Sequence, residues 1–201
     1  RHAVQVWASY IVDPSLPVVC LDTETTGLSF DDDEIVDICV RDFWGGELFS
    51  SLINPSDKAL QRFTRPGANG MSAAQVTGID PGALQYNQNF IEAHERLSEA
   101  LNGKVWVIYN ASFDFVMLER MCARLHLQPF SPLAVVCAME QFATWHGNWD
   151  APRQRFTPVK LSEACVEMGV EIQPHHAASD VRATIDLIHK LAQLEDGDAD
   201  N

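Results

Sequence analysis

Positive charge is scarce in this chain. In 201 residues, 14 lysines and arginines stand against 28 aspartates and glutamates, a formal net charge of −14. A non-specific binder of duplex nucleic acid normally presents a basic face, and this balance argues against one. Long apolar runs are missing as well: no stretch approaches the roughly 18 residues of a membrane span. Asp13, Pro14 and Pro17 interrupt the N-terminal apolar content too early for a signal peptide. Cysteine occurs five times, at 20, 39, 122, 137 and 165, never with paired metal-ligand spacing. Such an odd, scattered set in apolar segments reads as buried reduced thiols of a cytoplasmic protein, which argues against cysteine catalysis. No internal repeat or low-complexity tract occurs. What is plentiful is apolar residue: 46% of the chain is hydrophobic, enough for one domain with a substantial core. The chain begins at Arg1 rather than Met, which leaves room for upstream sequence.

The pattern divides into an N-terminal extension, 1–16, able to form a short helix, a domain over 17–194, and an acidic, disordered tail over 195–201 carrying Glu195, Asp196, Asp198 and Asp200. Strands are expected at 17–24, 34–42 and 47–53, the last two joined by a turn at Gly45-Gly46, as an antiparallel meander. A helix over 88–102, a strand at 104–109, a helix over 111–126, a strand near 133–137 and helices over 138–146, 160–168 and 176–194 follow. Three strands followed by alternating helices and strands give an α/β fold with a mixed five-stranded sheet flanked by helices.

Three acid-bearing stretches stand out. Val18-Val19-Cys20-Leu21 is a continuous apolar run, the pattern of a strand buried on both faces, and it leads into Asp22-Thr23-Glu24-Thr25-Thr26-Gly27. Strand alternation points Asp22 and Glu24 the same way, where they repel unless a divalent cation lies between them or the strand end faces water. The apolar run Val105–Tyr109 leads into Asn110-Ala111-Ser112-Phe113-Asp114, with Asn110 placed to cap a helix. Asp114, Leu118, Met121 and Leu125 share one helical stripe, so Asp114 faces inward, as a ligand or as a hydrogen-bonded first-turn acid. Near the end, Asp180, Thr184, Leu187, Leu191 and Leu194 form a second such stripe behind Pro174-His175-His176. His176 lies four residues before Asp180, the spacing of an ordinary helical pair, and His175 sits in a loop or at the helix start.

Taken together and in this order, these stretches resemble the DEDDh group of 3′-to-5′ exonucleases, which includes the proofreading subunit of the bacterial replicative DNA polymerase, ribonuclease T and oligoribonuclease. The resemblance spans residues 17 to 192. Its four acids fall on Asp22, Glu24, Asp114 and Asp180, and a histidine five residues before the last acid selects His175 over His176. Asp22–Leu28 matches the first motif in full, and Ser72–Ile79 is similar to a segment where many relatives carry His-Gly-Ile, with Thr77 here in place of the histidine. The resemblance implies a ribonuclease H-like fold and two divalent ions, Mg²⁺ or Mn²⁺, held by oxygen ligands. Asp22 would bridge both, Glu24 and Asp180 would complete the first, and Asp114 would hold the second largely through water. His175 would act as general base.

The expected reaction is release of nucleoside 5′-monophosphates from single-stranded 3′ ends, DNA favoured and RNA possible, a chemistry used in DNA repair. An RNA-trimming or oligoribonuclease-type enzyme shares the same residues. A low-activity module tethered to a polymerase or other protein partner is a further alternative, although none of the five positions is lost. Few residues follow the third motif, so the long tail by which the proofreading subunit holds its polymerase is not expected. Thr25, Leu28, Thr77 and Asn110 are the candidate substrate contacts; Thr25 and Thr26 could instead shape the turn at Gly27, Leu28 could be core, and Asn110 a cap. The segment 145–156 mixes Trp145, Trp149 and Phe156 with Arg153 and Arg155, as an unstructured lid over a strand or as a loop anchored by its aromatics. Lys58, Arg62 and Arg65, and Arg153, Arg155 and Lys160, form two basic clusters that either guide phosphates or are solvated. No membrane partner is expected.

Overall fold

The computed structural model describes residues 1–68, 70–173 and 175–194. The acidic stretch 195–201 and Pro174 lie outside the described residues. In chain order the elements are α1 His2–Ile11, β1 Val18–Thr25, β2 Ile35–Asp42, β3 Glu47–Leu52, α2 Asp57–Thr64, α3 Ala73–Thr77, α4 Pro81–Leu84, α5 Phe90–Leu101, β4 Val105–Ile108, α6 Ala111–Arg124, β5 Ala134–Cys137, α7 Ala138–His146, β6 Trp149–Asp150, β7 Arg155–Phe156, α8 Leu161–Met168 and α9 Ala177–Gln193. Five strands form one sheet in the order β3-β2-β1-β4-β5, with β6 and β7 a separate hairpin. β1, β2 and β3 pair antiparallel, while β4 and β5 run parallel to β1.

β1 occupies the centre because its apolar run is buried on both faces. Val18 and Cys20 belong to one cluster, with α1, α7, α8 and α9; Val19 and Leu21 belong to another, with α5 and α6. Burying a side chain such as Leu21 or Ile38 contributes roughly 1.5–3 kcal/mol, and the sheet carries a row of them on each face. A third, smaller cluster of Val36, Phe63, Ile79 and Leu84 holds the short helices α2 to α4 against the β2 side of the sheet.

The helix starts follow capping chemistry. Ser56 caps α2, Ser72 and Gln75 form a capping box on α3, and Asn89 and Glu92 form one on α5. The N-terminal extension does form a helix. Val4, Ala8 and Ile11 of α1 pack into the α9 side of the core, and the Gln5 side-chain amide donates to the Leu194 carbonyl at 3.1 Å. The five cysteines are free, Cys137 half-buried and the others buried. Among the described residues no helix is long and apolar enough to cross a membrane.

Candidate active site

The alternation of β1 continues beyond its apolar run, so Asp22 and Glu24 face α9 and Thr23 faces α6. α9 meets the pair with Asp180 from its first turn. One carboxylate oxygen from each of Asp22, Glu24 and Asp180 joins a group whose members all lie within 4.8 Å of one another. α6 meets Thr23 with Asp114, whose Oδ1 accepts from Thr23 N at 3.0 Å and Thr23 Oγ1 at 2.7 Å. The four acids expected from the sequence therefore lie around one strand end, three in a tight triplet and Asp114 bound to Thr23, close enough for its charge to act on Asp22.

Burial pushes Asp22 well above the usual carboxylate range, and the charges of Asp114, Asp180, Glu24 and Asp37 push it further. Glu24 rises to about 8 through burial and the nearby Asp180 and Asp37. Asp114 rises to about 7 through burial, against the pull of its two Thr23 donors. Asp180 is raised by burial, opposed by the His175 main chain and by the charges of His175 and then His176. Its Oδ1 is buried and has no hydrogen-bond partner among the described residues. Repelling half-buried carboxylates with an orphaned acceptor among them are costly by themselves, and a hard divalent cation on oxygen donors removes the repulsion and fills the empty acceptor. The residues fit such an ion.

The histidines sit where α9 begins. The helix starts at Ala177, so His176 is its N-cap residue rather than part of the first turn, and His175 is exposed with φ 70°. His176 offers its carbonyl to the amides of Ser179 and Asp180 at 2.8 and 3.0 Å.

Asp37 belongs to the acid group and was not expected. It stands opposite Glu24 in the β1–β2 register, and its Oδ2 accepts the Ala177 amide at 3.3 Å, linking β2 to the start of α9. Burial raises its carboxyl while that amide and the His176 charge hold it down. The signal was a lone acid in the apolar run Ile35-Val36-Asp37-Ile38-Cys39-Val40, but only the register puts it against Glu24.

Thr25, Leu28 and Thr77 line one cleft of about 600 Å³ together with Glu24, Arg62 and Met71. Leu28 is 83% exposed and is therefore not core. Thr25 is buried and its Oγ1 donates to the Gly27 carbonyl at 2.7 Å, so it does shape the turn. Thr77 is buried too, its hydroxyl donating to the Ala73 carbonyl at 3.1 Å and accepting the Ile79 amide at 3.3 Å. Behind the turn lies Asp33, 1% exposed. Its carboxylate accepts from Thr26 Oγ1, Ser29 N and two guanidinium nitrogens of Arg62, at 2.8–3.1 Å. Burial pushes Asp33 up, but these donors outweigh it and hold the carboxyl below its usual range. A Cβ on Gly27 would come 2.5 Å from Asp33 Oδ2, which is why the turn needs glycine there. Lys58 is bound to Asp32 at 2.8 Å, so of the first basic cluster only Arg62 and Arg65 line the cleft.

Asn110 occupies the N-cap position of α6 in the left-handed region, φ 71°, and its side chain caps nothing; its Oδ1 accepts from Ser112 Oγ at 3.0 Å. It lines a second cavity, not the first. Trp145 belongs to α7, against Phe142 and beneath Arg1, while 149–156 forms the β6–β7 hairpin in place of an unstructured lid. Lys160 stands at the N-cap position of α8.

The fold resembles that of exonuclease I, with a TM-score of 0.66 at 20% identity over 87% of this chain and 40% of that one. A structure of E. coli exonuclease I in complex with a dA16 oligonucleotide gives 0.63 at 19%, again over 87% of this chain and 40% of that one. The chain thus spans about 40% of the length of those enzymes. In sequence it is 28% identical over 182 residues to the uncharacterized exonuclease CP81 of Escherichia phage 186, covering 87% of this chain and 88% of that protein. It is also 28% identical over 179 residues to the PolC-type DNA polymerase III of Bacillus subtilis, covering 86% of this chain and 11% of the polymerase. The family model RNase_T, described as exonuclease, matches residues 19–188 and so takes in Asp22, Glu24, Asp114, His175 and Asp180. The chain belongs to this family of 3′-to-5′ exonucleases.

Proposed function

We propose that this protein hydrolyses single-stranded nucleic acid from its 3′ end, DNA in preference to RNA, releasing nucleoside 5′-monophosphates. The observation that carries the reading is the convergence of Asp22, Glu24 and Asp180 within 4.8 Å with Asp180 Oδ1 buried and unpartnered. Asp22, Glu24, Asp180 and Asp114 would hold Mg²⁺ or Mn²⁺, which when bound would supply charge neutralisation at the phosphoryl oxygens and a more acidic water. His175, exposed and beside Asp180, takes the proton of the attacking water. Asp114 is aimed by Thr23, and Asp37 tethers the start of α9, so Asp180 and the histidine turn are oriented before substrate arrives. The Thr25–Leu28 turn and Thr77 wall the cleft that receives the terminal nucleotide, with the exposed Leu28 against its base. The bond broken joins phosphorus to the 3′ oxygen of the preceding nucleotide, which leaves a 3′ hydroxyl on the shortened strand.

The DNA preference draws support from exonuclease I, which binds a dA16 oligonucleotide, and a polymerase partner from the PolC relatives, in which the matching region is part of a polymerase. The test is product analysis on matched 5′-labelled DNA and RNA oligonucleotides with Mg²⁺ or Mn²⁺, an EDTA control and Asp22→Ala. A ladder shortening from the 3′ end, abolished by EDTA and in the variant, is expected. RNA shortened faster than DNA would move the assignment to an RNA-trimming enzyme; cleavage of neither by folded protein would overturn the reading.

A further inference from the structure

The first turn of α6, which carries Asp114, also forms the rim of a second cavity of about 540 Å³ through Asn110 and Ser112. Its remaining walls are α7, with Met139, Glu140 and Thr144, and the β6–β7 hairpin, with Trp149, Arg155 and Phe156. The volume suits one nucleotide. The hairpin is a built element. Trp149 and Phe156 are register partners with rings edge to face at 5.1 Å, and Thr157 N closes the base onto the Asn148 carbonyl at 2.8 Å. Tyr109, at the end of β4, donates its hydroxyl to the Val159 carbonyl at 2.8 Å and pins the chain that follows the hairpin to the sheet.

This frame holds up two groups that structural needs leave spare. Trp149 is 52% exposed although its neighbour Phe156 is half-buried. Arg155 is exposed and, among the described residues, is in no ion pair, while the nearby Arg153 is held by Asp150 at 2.6 Å. A half-exposed indole, an unpaired guanidinium and the Asn110 amide around one nucleotide-sized cavity match a base face, a phosphate and base or sugar edges. Glu140 on the same rim opposes a phosphate chain, so Arg155 is the group that offsets it.

We propose that the cavity under the β6–β7 hairpin is a second subsite, which holds a nucleotide of the single strand upstream of the bond that is cut, with Trp149 stacking on its base and Arg155 on its phosphate. The inference rests on the exonuclease reading in one respect. The cleft containing Glu24 and Thr25 is taken there by the terminal nucleotide, and a phosphodiester at the acids has its other nucleotide on the α6 side.

The test measures binding apart from cleavage. In an Asp22→Asn background, which keeps the strand intact, fluorescence polarisation with a 5′-fluorescein hexathymidylate gives Kd across a KCl series for the parent, Trp149→Ala, Arg155→Ala and Glu140→Gln. Trp149→Ala is expected to raise Kd about tenfold with the salt slope unchanged, as loss of one stacked base does. Arg155→Ala is expected to weaken binding and lower the slope of log Kd against log salt by about 0.7, the signature of one lost single-strand phosphate contact. Glu140→Gln should tighten binding. Arg155 is exposed, so its result stands even if Trp149→Ala unsettles the hairpin. Parent-like Kd and slope in Arg155→Ala and Trp149→Ala, or a parent that does not bind the hexamer, would overturn the subsite. If the wild-type protein cuts no strand while the variants still lose affinity, the exonuclease reading falls and the strand-binding surface stands.

Discussion

Replacing Glu24 by Gln should make the metal-free protein more stable while destroying its activity. Glu24 faces Asp180, stands opposite Asp37 on the neighbouring strand and is half-buried, and its carboxyl is pushed from 4.5 up to about 8. A group whose pKa is raised on folding contributes its full stability below the unfolded value, and that stability is lost as pH rises through the folded value. Between 4.5 and pH 7 lie 2.5 pH units, which at ~1.4 kcal/mol each come to about 3.5 kcal/mol against the folded state. Asp22 and Asp180 sit in the same field and take up part of it, which leaves about 2 kcal/mol, or a rise of roughly 4–8 °C in melting temperature for a chain of this size. The assay is thermal unfolding in EDTA at pH 5, 6, 7 and 8. The gap between Glu24→Gln and wild type should be small at pH 5, widen to pH 8, and close or reverse when saturating Mg²⁺ neutralises the wild-type acids. A variant that melts with wild type at every pH in EDTA would refute the argument, as would a metal-free wild type whose melting temperature climbs from pH 6 to pH 8.

Other expectations follow from single contacts. Asp22→Ala should abolish hydrolysis with the fold retained, read by circular dichroism beside the oligonucleotide assay. His175→Ala should lower kcat about 10²–10⁴-fold, the usual scale for a positioned acid–base group, and much more than His176→Ala; the reverse order would move the base by one residue. Gly27→Ala drives a methyl group to within 2.5 Å of a buried carboxylate oxygen and should cost about 1–3 kcal/mol in denaturant unfolding, with a raised KM because the same turn walls the cleft. Arg62→Ala leaves Asp33 without its cation and should lower stability in denaturant unfolding, by less than loss of a fully buried pair because the arginine is 39% exposed. Since the Asp33 carboxyl is held below its usual value, that cost should be present above pH 4 and fade as pH falls through the folded value.

The central elements were legible because their signals are long and local. The run Val18–Leu21 could only be a buried strand, and the stripe from Asp180 to Leu191 could only be a helix with its acid inward; both lie within two residues of expectation. The helix over 138–146 has the expected bounds. The short helices α2, α3 and α4 were not foreseen. Eight, five and four residues are too few for periodicity, and their evidence lies in the caps Ser56, Ser72 and Asp80. The hairpin at 149–156 was hidden because its strands are two residues each, with Gln154 at φ 50° in place of a glycine turn signal. Within the site, alternation predicted that Asp22 and Glu24 share a face, whereas the Thr23–Asp114 bond and the place of Asp37 depend on which helix covers which face. Pairings of that range are set by the topology of the whole sheet and leave no local mark.

The bond between Gln5 on the first helix and the carbonyl of Leu194 brings two points 189 residues apart to within 3.1 Å. A folded body that chain enters and leaves at nearly one place behaves like a bead on a thread. It can be spliced into a surface loop of a larger host without stretching that loop or disturbing the host's own packing, because the gap to be bridged is no wider than the loop already was. The geometry of α1 against α9 therefore makes this unit portable, suited both to stand by itself and to be carried as one compartment of a much longer polypeptide.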